Sequence, residues 1–104
     1  MRIRKEINIE EDEKAIFLAQ IADALSHPVR IALLHYVKSR DNLRNDLCNK
    51  DLVENFPYSQ ANISQHIKKL KDVGLFKVTY DSKFSFYSVD TDLLTKYIET
   101  LKGL

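Results

Sequence analysis

The chain has 104 residues, 44% of them apolar and 30% charged, with a formal net charge of +1. That length suits one small domain, and that composition is globular rather than disordered. No apolar run approaches the roughly 20 residues of a membrane helix, and the opening MRIRKEINIEEDEK has no apolar segment of the kind a secretion signal needs. The single cysteine, Cys48, makes no internal disulfide. A reducing, cytoplasmic location is therefore expected, with no membrane partner.

In chain order, Asp12 opens a helical pattern, DEKAIFLAQIADAL, with acids in the first turn where the helix dipole favours them. Its apolar residues cover more than one stripe, wider than a single core contact requires. Ser26-His27-Pro28 reads as a helix restart, with Ser or His as the cap and Pro in the first turn. VRIALLHYVKS follows as a strongly apolar central helix, ending in the polar stretch Ser39 to Asn45.

Asp46 to Phe56 reads as a short helix with Leu47, Leu52, Val53 and Phe56 on its buried side, broken by Pro57-Tyr58. Ser59 is an N-cap for a further helix. Ile63, Ile67 and Leu70 fall at i, i+4 and i+7, Val73 extends that stripe, and Gly74 suits a left-handed C-cap. LFKVTY and FSFYSV, joined by Asp81-Ser82-Lys83, read as a hairpin. Asp90 caps a last helix carrying Leu93, Leu94, Tyr97, Ile98 and Leu101 on one side.

Charge is uneven along this order. Residues 1–58 carry nine basic and ten acidic side chains, and residues 84–104 carry two and three, so each part sums to −1. Residues 59–83 carry five lysines against Asp72 and Asp81, or +3. The positive excess sits on and just after the 59–71 helix, where a polyanion or plain solvent is its natural counterpart. A short helix, a tight turn and a basic-faced helix make a helix-turn-helix, and the hairpin is placed as a wing. The expected fold is mainly α with a β-hairpin, in the order α-α-α-α-β-β-α: one winged-helix domain over 1–104, with helix-turn-helix 46–72 and wing 75–89.

Three stretches resemble the ArsR/SmtB family of bacterial winged-helix repressors. LSHPVRIALLHYV is similar to that family's L-x-x-P-x-R-x-x-I-L helix. SQANISQHIKKLKDVGLF is similar to its S-Q-x-x-[IV]-S-x-H-[LI]-x-x-L-x-x-x-G-L recognition helix, and KVTYDSKFSFYSV to its wing. The resemblance spans roughly residues 12–102. It implies duplex DNA as partner, with Ser59, Gln60, Asn62, Ser64, Gln65 and His66 as contacts in the major groove. Residue chemistry agrees: Gln and Asn present paired donor and acceptor groups to adenine, and Ser fits several bases or a phosphate. Lys68 and Lys69 suit phosphates, which set register rather than sequence, and Lys83 suits a phosphate beside the wing. His66 also borders Ile63, Ile67 and Leu70, so a half-buried structural role stands beside the contact role; Ser59 also reads as a simple cap.

The family's metal sites do not carry over. Where it has E-L-C-V-C-D-L, this chain has Asp46-Leu47-Cys48-Asn49-Lys50-Asp51-Leu52, with Lys50 in place of the second cysteine. A soft-metal site wants several thiolates. The last helix contains Asp92 and Glu99 but no histidine. No metal site, no cofactor and no catalytic residue is expected: two glycines exclude most cofactor fingerprints, and no nucleophile elbow or carboxylate pair is present. An unknown small-molecule or redox signal remains as inducer.

The terminal helices, 12–25 and 91–102, carry more apolar surface than one chain needs. Ile16, Phe17, Leu18, Leu94, Tyr97, Ile98 and Leu101 are expected to form a homodimer interface. The implied function is a dimeric repressor on an imperfect palindrome, released by its inducer. The alternative is a winged-helix protein-interaction module, which keeps the fold and loses the polar, basic reading face.

Overall fold

The computed structural model describes residues 12–41 and 47–104. Five helices are seen: α1 (Glu13–Ala24), α2 (Pro28–Asp41), α3 (Asn49–Asn55), α4 (Gln60–Asp72) and α5 (Thr91–Lys102). Three strands accompany them: β1 (Leu47–Cys48), β2 (Phe76–Asp81) and β3 (Phe84–Val89). The sheet order is β1-β3-β2, antiparallel throughout. The architecture is a winged helix-turn-helix, with the hairpin β2–β3 as the wing.

Local chemistry sets the helix ends. Asp12 accepts from the Ala15 N–H at 3.0 Å, and Asp90 accepts from the Leu93 N–H at 3.0 Å. At the restart the capping group is His27, whose Nδ1 accepts from the Val29 N–H at 3.1 Å. Ser26 turns back instead and donates to the Asp23 carbonyl at 2.6 Å. Pro28, with no N–H to place, is the first residue of α2. The chain bends by 90° between α1 and α2. Among the described residues no single helix is long and apolar enough to cross a membrane.

The end of α4 is a Schellman turn. The Gly74 N–H bonds the Lys71 carbonyl at 2.9 Å and the Leu75 N–H bonds the Leu70 carbonyl at 3.0 Å. Gly74 takes φ +88°, and Leu70 and Leu75 on either side are fully buried. This turn sends the chain from α4 straight into β2. The core lies beneath it, built from Leu33 and Val37 of α2, Leu52 of α3, Ile63, Ile67 and Leu70 of α4, and Leu75, Phe76, Tyr87 and Val89.

Two features depart from the sequence reading. The helix expected over Asp46 to Phe56 is shorter: Leu47–Cys48 is strand, α3 starts at Asn49, and Phe56 lies beyond its end. Residue 46 lies outside the described residues, as do residues 1–11 and residues 42–45 of the polar stretch after α2. The cause is tertiary. β3 would otherwise leave one edge of unpaired N–H and C=O groups, and Leu47 and Cys48 pair with Tyr87 and Phe86 to cover it. The second departure is the wing turn, which needs only Ser82 and Lys83, because Asp81 and Phe84 are already a register pair. Ser82 adopts φ +56° there.

Candidate nucleic-acid interface

α4 divides cleanly into two sides. Ile63, Ile67 and Leu70 are buried, while Gln60, Ala61, Asn62, Ser64, Gln65, Lys68, Lys69 and Lys71 are exposed. At 100° per residue, Gln65 points almost directly away from the core, with Ala61 and Asp72 beside it, and Lys68 lies to one side. Ser59 is exposed and caps the helix, its Oγ accepting from the Asn62 N–H at 3.2 Å. That bond fixes the first turn from which Gln60 and Asn62 project, and both side chains remain exposed to solvent.

The flanks of α4 differ. On one, Gln60 shares an open cleft with Lys83, Phe84 and Ser85 of the wing and Lys50, Val53 and Glu54 of α3. The fold thus brings Gln60 and Lys83 together, although they lie 23 positions apart in sequence. Lys83 lies at the wing turn with its Nζ 5.9 Å from the Phe84 ring centroid. Phe84 is exposed, whereas Tyr87 of the same strand is buried in the core.

On the other flank His66 turns inward. It is half-buried, and its Nδ1 lies 3.2 Å from Arg30 Nη1. Its ring is 4.6 Å from that of His27. Burial, and then the neighbouring His27 and Arg30, hold its pKa below the ordinary 6.5. Of its two sequence roles, the structural one is therefore occupied. Lys69 reaches back toward Asp23 of α1 at 3.8 Å. Lys68 donates to Asp72 at 2.8 Å, and that bond holds the Asp72 carboxyl below its usual range. Both pairs are on the surface, where such contacts are worth little, so either lysine can exchange its carboxylate for a phosphate at small cost.

Arg30 and Lys50 were missed as site residues. Arg30 was visible only as one letter of the α2 motif, and Lys50 only as the neighbour of Cys48. Arg30 meets His66 and the end of α1 through packing between elements, which periodicity does not report. Lys50 pairs with Glu54 at 3.9 Å within α3 and meets Gln60 and Lys83 only across the cleft.

At the terminal helices, α1 packs against α5 and the Lys96 Nζ sits 4.9 Å above the Phe17 ring. Ile16, Ile98 and Leu101 remain 39%, 43% and 47% exposed, whereas Leu94 and Tyr97 are half-buried. Leu18 is only 9% exposed, so its surface is already spent inside the chain. Among the described residues, no group of three or more His, Cys, Asp or Glu side chains is placed to hold a metal.

The family model for bacterial regulatory proteins of the arsR family matches residues 27–78, half of the chain, from the cap of α2 to the third residue of β2. The chain belongs to the arsR family. It is therefore a DNA-binding transcriptional regulator, from a family of regulators and not of enzymes. Similar curated proteins include the arsenical resistance operon repressor of Staphylococcus aureus, 30% identical over 81% of this chain and 76% of that protein. A cadmium resistance transcriptional regulatory protein, a CadC homolog of the same organism, is 27% identical over 79% of this chain. This ArsR-family chain spans 64% of that cadmium regulator's length. Among solved structures, an ArsR-like transcriptional regulator from Rhodococcus sp. RHA1 has a TM-score of 0.72 at 25% identity, covering 84% of this chain and 77% of that one. NolR from Sinorhizobium fredii, at 23% identity, shares the fold with a TM-score of 0.71 over 99% of this chain and 95% of its own.

Proposed function

We propose that the protein is a cytoplasmic, homodimeric repressor that reads an imperfect palindrome with α4 and is released by a signal acting on its terminal helices. The observation that carries this reading is the two-sided α4: an apolar side locked into the core and an exposed side bearing Gln60, Asn62, Ser64 and Gln65 with lysines around them. Gln60, Gln65, Asn62, Ser64 and Ser59 supply base-edge and backbone contacts. Lys68, Lys69 and Lys83 supply phosphate contacts, and His66 contributes through its neighbours more than through DNA.

The domain plan supports that division of labour. In this reading α3 and α4 are the helix-turn-helix, β2 and β3 the wing, and α1 with α5 the dimerisation helices. Exposed Ile16, Ile98 and Leu101, with half-buried Phe17, Leu94 and Tyr97, provide the apolar surface. A twofold dimer covers that surface on both chains and sets two α4 helices about 34 Å apart, one turn of DNA. A signal that repacks α1 against α5 changes that separation and hence the affinity.

The names of the Staphylococcus aureus relatives favour a second reading of the signal, a soft metal or metalloid. Against it stand a lone cysteine and a histidine-free α5, so the inducer proposed here is a small molecule or an oxidant. The reading is tested by electrophoretic shift on the protein's own promoter at rising salt, repeated with cadmium and arsenite. Specific, salt-sensitive shifts unaffected by either metal support it. Weak, salt-indifferent binding favours the protein-interaction module, and release by micromolar metal favours the second reading.

A further inference from the structure

The Arg30 guanidinium ties three helices together. Its Nε donates to the Ala24 carbonyl at 2.7 Å and its Nη2 to the Asp23 carbonyl at 3.3 Å. Nη2 also lies 3.4 Å from Ser26 Oγ, and Nη1 lies 3.2 Å from His66 Nδ1. The two carbonyls are among the last of α1, which have no partner within their own helix and favour a cation. One side chain of α2 therefore joins the C-terminal end of α1 to the middle of α4. Lys69 and Asp23, 3.8 Å apart, make a second, weaker link between the same two helices.

The contact at His66 has a fixed chemical sense. Arg is always protonated and only donates. His66 Nδ1 must then be the bare, accepting nitrogen, which places the ring proton on Nε2 and leaves the imidazole neutral. We propose that Arg30 is a positioning residue for the DNA-reading helix, acting through His66, and that the tie holds only while His66 is neutral.

The surroundings offer a protonated His66 little compensation. From the α2 end it faces Arg30 and His27, whose own Nδ1 is occupied as the helix cap. From α4 Lys69 lies on the same flank, one turn along. From α1 the facing acid is Asp23, which already has Lys69 as a partner. A proton on Nδ1 replaces an accepted hydrogen bond by two facing donors. The lowered pKa of His66 agrees with this, with burial its largest cause. The stabilising contribution is complete above the unfolded value near 6.5 and is lost as pH falls through the lower folded value.

This sets a sign opposite to the usual one. A histidine that faces phosphates gains charge in acid and tightens binding to DNA. Here acid loosens α4 from α1, and operator affinity falls. The DNA part of the inference rests on the function proposed above; the free protein tests the tie by itself.

The experiment compares the full-length protein with His66→Asn, which keeps an acceptor near the Nδ1 position that does not titrate, and with Arg30→Met. Histidine ring signals are followed by NMR through pH 5 to 8, with urea unfolding at both ends of that range. The expected His66 midpoint lies below 6.5 and moves up in Arg30→Met. The wild type is expected to lose stability in acid by an amount that His66→Asn does not. Promoter affinity of the wild type should weaken roughly two- to tenfold between the two ends, the worth of one hydrogen bond, and that of His66→Asn should stay flatter. A His66 midpoint at or above 6.5 would overturn the proposal. Identical acid dependence of unfolding in wild type and His66→Asn would also overturn it. If no DNA is bound at any pH, the function proposed above fails, and the NMR and urea results alone decide the tie.

Discussion

Gly74→Ala is expected to destabilise the protein by about 1–2 kcal/mol. Gly74 has φ +88°, and an L residue held in the left-handed region costs about 1–2 kcal/mol. An added Cβ would stand 3.3 Å from Leu93 Cδ2, so Leu93 of α5 must give by a few tenths of an ångström, adding cost at this half-buried turn. Against this, alanine restricts the unfolded chain and returns about 0.4–1 kcal/mol. Equilibrium urea unfolding followed by helical circular dichroism reads the difference as a lower midpoint at unchanged slope. Thermal unfolding should fall by about 4–8 °C per kcal/mol in a domain near this size. Gly74→Asn should lose less than Gly74→Ala, because asparagine tolerates positive φ better. Placing Gly74→Ala on a Leu93→Ala background should recover part of the loss, since the close neighbour is then gone. Stability within about 0.5 kcal/mol of wild type for Gly74→Ala would show that the turn does not hold the glycine in this geometry and would refute the reasoning.

Gln60→Ala and Gln65→Ala should each cost on the order of 1–3 kcal/mol on the cognate operator and relax base preference at one position, measured by competition with substituted duplexes. Lys68→Gln should weaken all duplexes alike and reduce the slope of log affinity against log salt by about 0.9 if that lysine leaves Asp72 for a phosphate; an unchanged slope would leave it as a surface ion pair. Ser82→Gly should stabilise the free protein by about 1 kcal/mol, because Ser82 occupies φ +56° in the wing turn; urea unfolding checks it, and a destabilised variant would show that its side chain contributes to the turn.

Helix α4 was legible because every signal in it is local. Ser59, the Ile63-Ile67-Leu70 stripe and Gly74 lie within sixteen residues and agree on one helix, and the structure adds only the bonds. The Asp90 cap was legible for the same reason. β1 was not, because two residues carry no period, and Leu47 fits a helical stripe as readily as a strand. Its pairing is dictated by the open edge of β3, which lies some forty residues later. The wing turn hid its positive φ because neither central residue is glycine. Apolarity alone puts Leu18 on the dimer surface; helix rotation turns it into the chain and leaves Ile16 outside. In the site, the exposed glutamines followed from helix geometry, whereas the Arg30–His66 contact joins residues 36 apart and is a product of packing.

The most direct test of the central claim, that paired α4 helices read duplex DNA, is selection of binding sites by the full-length protein from random-sequence duplexes. The expected result is an enriched inverted repeat whose half-sites are centred about one helical turn apart, and whose enrichment is lost in the Gln60→Ala, Gln65→Ala double variant. Enrichment of a lone half-site bound by a 12.1 kDa monomer, or of no sequence at all, would contradict it.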